Sequence, residues 1–214
     1  MNFCKDMLLL YGVTGRGCES AQTLYQQIEA ALKGGVTLVQ LREKNLSDAD
    51  YVEEAVKVKA LCHRYGVPLI INDRVDVAIK SGADGVHVGI EDTPVRQIRQ
   101  KVPKDFIIGA TAKTVEQAQD AEKAGADYLG VGAVFPSPSK KNVIRITLGQ
   151  LKDICLSVSI PTVAIGGINL ENVMEIQGCG MDGIAVISAI FAADDIQNAA
   201  AKLKEKARAA IQPL

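Results

Sequence analysis

A chain of 214 residues can enclose one sizeable core, and with 48% apolar residues, no Trp and only 4% aromatics that core must be built from Ala, Val, Ile and Leu, a composition suited to parallel α/β packing. The formal charge of −1, without a Lys/Arg run, excludes a basic field that tracks a nucleic-acid backbone. Five cysteines, odd in number and without a CxxC pair, together with no signal peptide and no apolar run of membrane-spanning length, predict reduced thiols in a cytoplasmic protein rather than a disulfide framework, a zinc site or a membrane protein.

The apolar pattern predicts a first strand near 8–13 and a helix near 20–33. A second strand, near 36–42, runs without a turn residue into Gln40-Leu41-Arg42-Glu43-Lys44. Alternation along a strand puts Gln40, Arg42 and Lys44 on the face of Val36 and Leu38, so a buried strand ends in an array of donors that invites an anion. Glu43 points the other way and belongs to the helix-facing layer. After a helix near 48–64, a third strand near 67–71 ends in Asn72-Asp73. Either residue can cap a helix near 74–81, and for these residues taken alone capping is the simpler expectation.

The fourth strand, near 85–89, leads to Asp92, Thr93 and Pro94. Thr93 is expected as N-cap with Pro94 opening a helix near 94–102, leaving the Asp92 carboxylate free. Asp73 and Asp92, at adjacent strand ends, can share a hard cation such as Mg2+, which uses one or two carboxylates, waters and phosphate oxygens. His87, on an apolar strand, is expected to be a satisfied, partly buried histidine. Neither it nor His63 has a nucleophile partner, which argues against a Ser-His or Cys-His hydrolase.

Strands near 106–111 and 127–132 follow, with a helix near 114–124 between them. Residues 134–142 form the longest irregular connection; Ser137, Ser139 and Lys140 there offer two hydroxyls and a cation to phosphate or diphosphate. A helix near 147–157, a strand near 161–165 and a helix near 170–178 bracket Gly166-Gly167, and a strand near 183–187 runs into Ile187-Ser188 before a last helix near 195–211. Glycines allow close backbone approach, and loops after the seventh and eighth strands are a frequent phosphate site in barrels.

The junctions Lys33-Gly34-Gly35, Ser81-Gly82-Ala83-Asp84, Ala124-Gly125-Ala126-Asp127 and Cys179-Gly180-Met181-Asp182 repeat one device, a left-handed glycine between helix and strand. Eight strand–helix units without a linker predict a single-domain (β/α)8 TIM barrel over 1–214, with an open doubly wound sheet as the alternative. A Rossmann domain is disfavoured because no GxGxxG follows the first strand.

Gln40-x-Arg42-x-Lys44, Ile71-Asn72-Asp73, His87-x-Gly89-x-x-Asp92, Phe135-Pro136-Ser137-x-Ser139-Lys140, Ile165-Gly166-Gly167-Ile168 and Ile187-Ser188, in this order, resemble the thiamine-phosphate synthase family along nearly the whole chain. The resemblance implies an alkyl transferase of thiamine biosynthesis. It would move the 4-amino-2-methylpyrimidin-5-ylmethyl group from its diphosphate to the nitrogen of a thiazole phosphate, giving thiamine phosphate and pyrophosphate. It further implies that Gln40, Arg42, Lys44 and Asn72 hold the pyrimidine diphosphate and that Asp73 and Asp92 ligate Mg2+. Thr111 would face the pyrimidine, and Lys140 would reach the diphosphate. Ser137, Ser139, Gly166, Gly167, Ile187 and Ser188 would contact the thiazole phosphate. Arg42, Lys44, Thr111 and Lys140 are the implied catalytic set.

In that family the C–O bond is thought to break first, giving a pyrimidine-stabilised cation, so electrostatics and alignment rather than a covalent nucleophile would carry the rate. The implied partners are the two small-molecule substrates, without nucleic acid or membrane; a homo-oligomer stays open. Rival readings are a thiazole tautomerase-like isomerase of the same fold, which needs no diphosphate clamp, a non-catalytic phosphometabolite sensor, and a generic barrel isomerase, disfavoured for want of an acid/base pair.

Overall fold

The computed structural model describes residues 3–15, 22–136 and 144–211. Its eight parallel strands, β1 (Leu10–Val13), β2 (Leu38–Leu41), β3 (Leu69–Asn72), β4 (Gly85–Val88), β5 (Ile107–Ala112), β6 (Tyr128–Gly132), β7 (Thr162–Ile165) and β8 (Gly183–Val186), close in sequence order, β8 pairing back onto β1. The closed barrel, not the open sheet, is the architecture. Around it lie α1 (Leu24–Lys33), α2 (Asp48–Arg64), α3 (Val75–Ser81), α4 (Val95–Arg99), α5 (Val115–Ala124), α6 (Leu148–Leu156), α7 (Ser188–Phe191) and α8 (Ile196–Ala210). None of the described helices is long and apolar enough to cross a membrane.

Strand alternation divides the core in two. Leu8, Tyr11, Val13, Leu38, Ile70, Ile107, Tyr128, Val163 and Ala185 fill the barrel interior, while residues of opposite parity pack under the helices. Val36 falls in the outer layer with Leu32 and Ile28, not on the face of Leu38 as expected, because strand pairing begins only at Leu38 and Gly35 turns the chain just before it at φ 97°. Glu43 is buried beside Tyr51 of α2, on the helix side as expected.

The repeated junctions have a specific job. Gly35, Gly82, Gly125 and Gly180 all take positive φ. The residue that follows two positions later then clamps the start of the preceding strand with both backbone and side chain. Asp84 donates its N–H to Leu69 O and accepts from Leu69 N at 2.8 Å, and Asp127 does the same for Ile108 (2.7 Å). Asp182 repeats the pattern at Thr162 (2.9 Å), and Thr37 repeats it at Leu10 with a hydroxyl (2.9 Å). Each clamp satisfies an amide at the bottom of the barrel where the ladder has run out.

Three helical segments depart from expectation. The segment expected to be helical over 170–178 makes only a 3-10 turn, Val173–Ile176. Asn169 Oδ1 accepts from the N–H groups of Glu171 and Asn172 while Asn172 Oδ1 accepts from Asn169 N, so side chains take the donors that would start a helix. The short α7 follows β8 where only a loop was expected, and α4 ends at Arg99 rather than near 102.

Candidate functional site

At the C-terminal mouth of the barrel, four neighbouring strands each present a polar residue of inward parity: Gln40 on β2, Asn72 on β3, His87 on β4 and Thr111 on β5. Thr14, just past β1, donates its N–H to Gln40 O and accepts from Arg42 N at 2.9 Å; Tyr51 Oη of α2 donates to Leu41 O at 2.6 Å. These bonds fix the exit of β2 from both sides. Gln40 is buried (4% exposed) and points into the barrel, Arg42 is half-buried, and Lys44 is exposed in the bend beyond the strand.

Asp73 does not cap α3: the cap position is Arg74, and no side chain caps that end. Instead Asp73 adopts φ 59°, uncommon outside glycine, with its N–H on His87 O at 2.8 Å. This turns its carboxylate onto that of Asp92. Burial, then the Asp92 charge, push the Asp73 carboxyl above its usual range, while Asn72 and Arg42 pull it down. Asn72, Asp73, Asp92 and Arg42 are thus one electrostatic cluster. Thr93 does not cap α4 either. Asp92 accepts from Gly89 N at 2.7 Å, closing a tight turn, and the cap position of α4 falls to Pro94 without a side-chain bond.

Two juxtaposed carboxylates, one resisting ionisation, fit a hard divalent cation completed by water and phosphate oxygens. Among the described residues no cluster of three or more His, Cys, Asp or Glu offers a denser cage.

On the far side of the mouth, Gly166 (φ 106°) and Gly167 (φ 65°) follow β7. A side chain on Gly167 would collide with Pro136 O, so the β6 loop lies directly across it. Val134 and Phe135 donate to Ile165 O (3.0 Å) and Gly166 O (2.9 Å), and Asn172 Nδ2 braces Gly167 O at 3.0 Å. Ile187 and Ser188 are half-buried at the start of α7. Ser137, Ser139 and Lys140 lie outside the described residues.

Between the two sides, Thr111 at the end of β5 is half-buried and meets His87 Nε2 at 3.1 Å; His87 Nδ1 meets Tyr128 Oη at 3.1 Å. Burial pushes the His87 pKa down to about 4, so the imidazole is neutral and satisfied at both nitrogens, as expected of it. Sequence reasoning missed Tyr11, Tyr128 and Asn172. The tyrosines carried one signal, two aromatics standing on strands of an aromatic-poor chain.

A family model described as thiamine monophosphate synthase matches residues 10–190. The chain is 47% identical over 196 residues to the thiamine-phosphate synthase of Ruminiclostridium cellulolyticum, covering 92% of this chain and 93% of that one. It is 48% identical over 199 residues to that of Clostridium acetobutylicum, covering 93% and 91%. Among solved structures, thiamine phosphate pyrophosphorylase from Pyrococcus furiosus superposes with a TM-score of 0.88 at 39% identity, over 97% of this chain and 99% of that one. A structure titled native KDPGal, 18% identical with a TM-score of 0.70, shares the fold alone. On the family match and these identities, the chain belongs to the thiamine monophosphate synthase family.

Proposed function

We infer that this chain transfers the 4-amino-2-methylpyrimidin-5-ylmethyl group from its diphosphate to the ring nitrogen of a thiazole phosphate, releasing pyrophosphate and forming thiamine phosphate. The observation that carries this reading is the Arg42–Asn72–Asp73–Asp92 cluster at one wall of the barrel mouth. An isomerase acting on the thiazole phosphate alone has no use for a diphosphate clamp. The family membership and the relatives' names support the same reading.

In this reading Gln40, Arg42, Lys44 and Asn72 hold the pyrimidine diphosphate, with Lys140 reaching toward it, and Thr111 faces the pyrimidine. Gly166, Gly167, Ile187 and Ser188, with Ser137 and Ser139, receive the thiazole phosphate. Asp73 and Asp92 would hold Mg2+, which when bound supplies positive charge to the diphosphate. Arg42 and Lys44 stabilise charge that grows on the leaving group as the C–O bond lengthens, an interaction stronger in the transition state than in the ground state. The opposed anion sites hold the two rings face to face, so the thiazole nitrogen stands next to the carbon that loses diphosphate. The site is a single barrel unit working on small molecules in the cytoplasm.

Mass-spectrometric detection of thiamine phosphate from the two substrates, with each omitted in turn, tests the reading. Product is expected only with both. A thiazole phosphate converted to an isomer without the pyrimidine substrate would favour the tautomerase instead.

A further inference from the structure

A hydrogen-bonded chain crosses the barrel interior beneath the mouth. Gln40 Nε2 donates to Tyr11 Oη at 2.6 Å, Tyr11 Oη meets Tyr128 Oη at 2.8 Å, and Tyr128 Oη meets His87 Nδ1 at 3.1 Å. His87 Nε2 then meets Thr111 Oγ1 at 3.1 Å. Tyr11 and Tyr128 are 1% and 0% exposed. Two glycines clear the path: a side chain on Gly109 would strike the Tyr128 ring, and one on Gly130 would press on His87 Cε1 at 3.1 Å.

With Gln40 Nε2, rather than Oε1, placed on Tyr11, counting donors sets the direction of this chain; the amide turned over would reverse it. An amide nitrogen only donates, each phenol and hydroxyl has one proton, and a neutral imidazole has one N–H. With Gln40 Nε2 aimed at Tyr11, the Tyr11 proton passes toward Tyr128 and the Tyr128 proton toward His87 Nδ1. The imidazole N–H then sits on Nε2 and points at Thr111, whose own proton is left for the mouth. Run in reverse, the chain aims two donors at Tyr11 and strands its proton in a buried site, an unsatisfied donor of the kind native interiors avoid.

We propose that Gln40, Tyr11 and Tyr128 form a polarised relay that fixes His87 as the Nε2–H tautomer and so holds the Thr111 hydroxyl as a hydrogen-bond donor toward a ring nitrogen of the bound pyrimidine. Tyr11 and Tyr128 are positioning residues; of the five relay members only Gln40 and Thr111 are assigned to the substrate. The last step rests on the pyrimidine placement under the proposed function, whereas the tautomer does not.

Nitrogen-15 NMR of histidine-labelled protein without substrate reads the tautomer directly. With only two histidines, the exposed His63 is assigned by His63→Gln. The Nε2–H form of His87 is expected, and an Nδ1–H form would overturn the relay whatever the enzyme's activity. Kinetically, Tyr128→Phe should lower kcat/KM for the pyrimidine diphosphate about tenfold, with KM for the thiazole phosphate within about twofold of wild type. Tyr128→Phe added to Thr111→Val should cost nothing further, since both act through one donor, and Thr111→Ser should retain activity. Additive losses would assign Tyr128 a packing role and sink its positioning role. If Tyr128→Phe fails to fold, the wild-type tautomer still decides.

Discussion

Asp73 shows how one residue's backbone decides its chemistry. In a helix cap its carboxylate would be consumed by amide donors; at φ 59°, with its N–H taken by His87 O, it is turned onto Asp92 instead. Its carboxyl is raised by burial and then by the Asp92 charge, so it keeps its proton to a higher pH than an ordinary aspartate, whose pKa is about 4. A divalent cation binding there would have to displace that proton. Mg2+ affinity, followed by calorimetry, should therefore fall as pH drops through the raised Asp73 value, starting at a higher pH than a lone aspartate would produce, and Asp73→Asn should flatten the profile. Arg42→Ala and Asp92→Ala should each lower kcat by at least about tenfold, some 1.4 kcal/mol or more of transition-state stabilisation; wild-type turnover in both would place the clamp elsewhere.

At the level of elements, glycines set how large side chains fit the barrel. Gly109 on β5 lies under the Tyr128 ring of β6, the two paired directly across the ladder. Gly109→Ala forces a backbone or ring shift in a packed interior and is expected to destabilise by about 1–3 kcal/mol in thermal unfolding, with the His87–Thr111 alignment lost as well. The eight strands were legible because each is a short apolar run, four of them entered through the repeated glycine junction, and a buried parallel strand has no other signature. The helix expected over 170–178 failed for a local reason: Asn169 and Asn172 bond each other's backbone, and apolar spacing does not report that competition. Likewise, Thr93 looked like a cap until Asp92 closed the turn ahead of it.

Across the whole molecule the barrel is clamped at its bottom and carries the proposed site at its top. Asp127 illustrates the clamp, accepting from Ile108 N at 2.7 Å and from Arg99 Nη2 at 2.6 Å. Asp127→Ala leaves an amide and a guanidinium without that partner and should cost about 1–3 kcal/mol of stability, read as a lower Tm, with KM unchanged because the site is at the other end. The two ends were unequally readable. Gln40 and Arg42 stood out because long polar side chains ending a buried strand have few structural uses, whereas Asn72, Asp73 and Asp92, each explicable as a cap or turn residue, gained weight only from lying beyond adjacent strand ends. The Tyr11–Tyr128–His87 chain was not readable, since its members sit 117 and 41 residues apart and meet only once the barrel closes.

The coupling reaction is tested most directly by pyrophosphate release from purified protein with Mg2+, supplied with both substrates and with each alone. Release only when both are present, equimolar with thiamine phosphate, is the expected result. No coupled product under those conditions, or equal release without the thiazole phosphate, would contradict it.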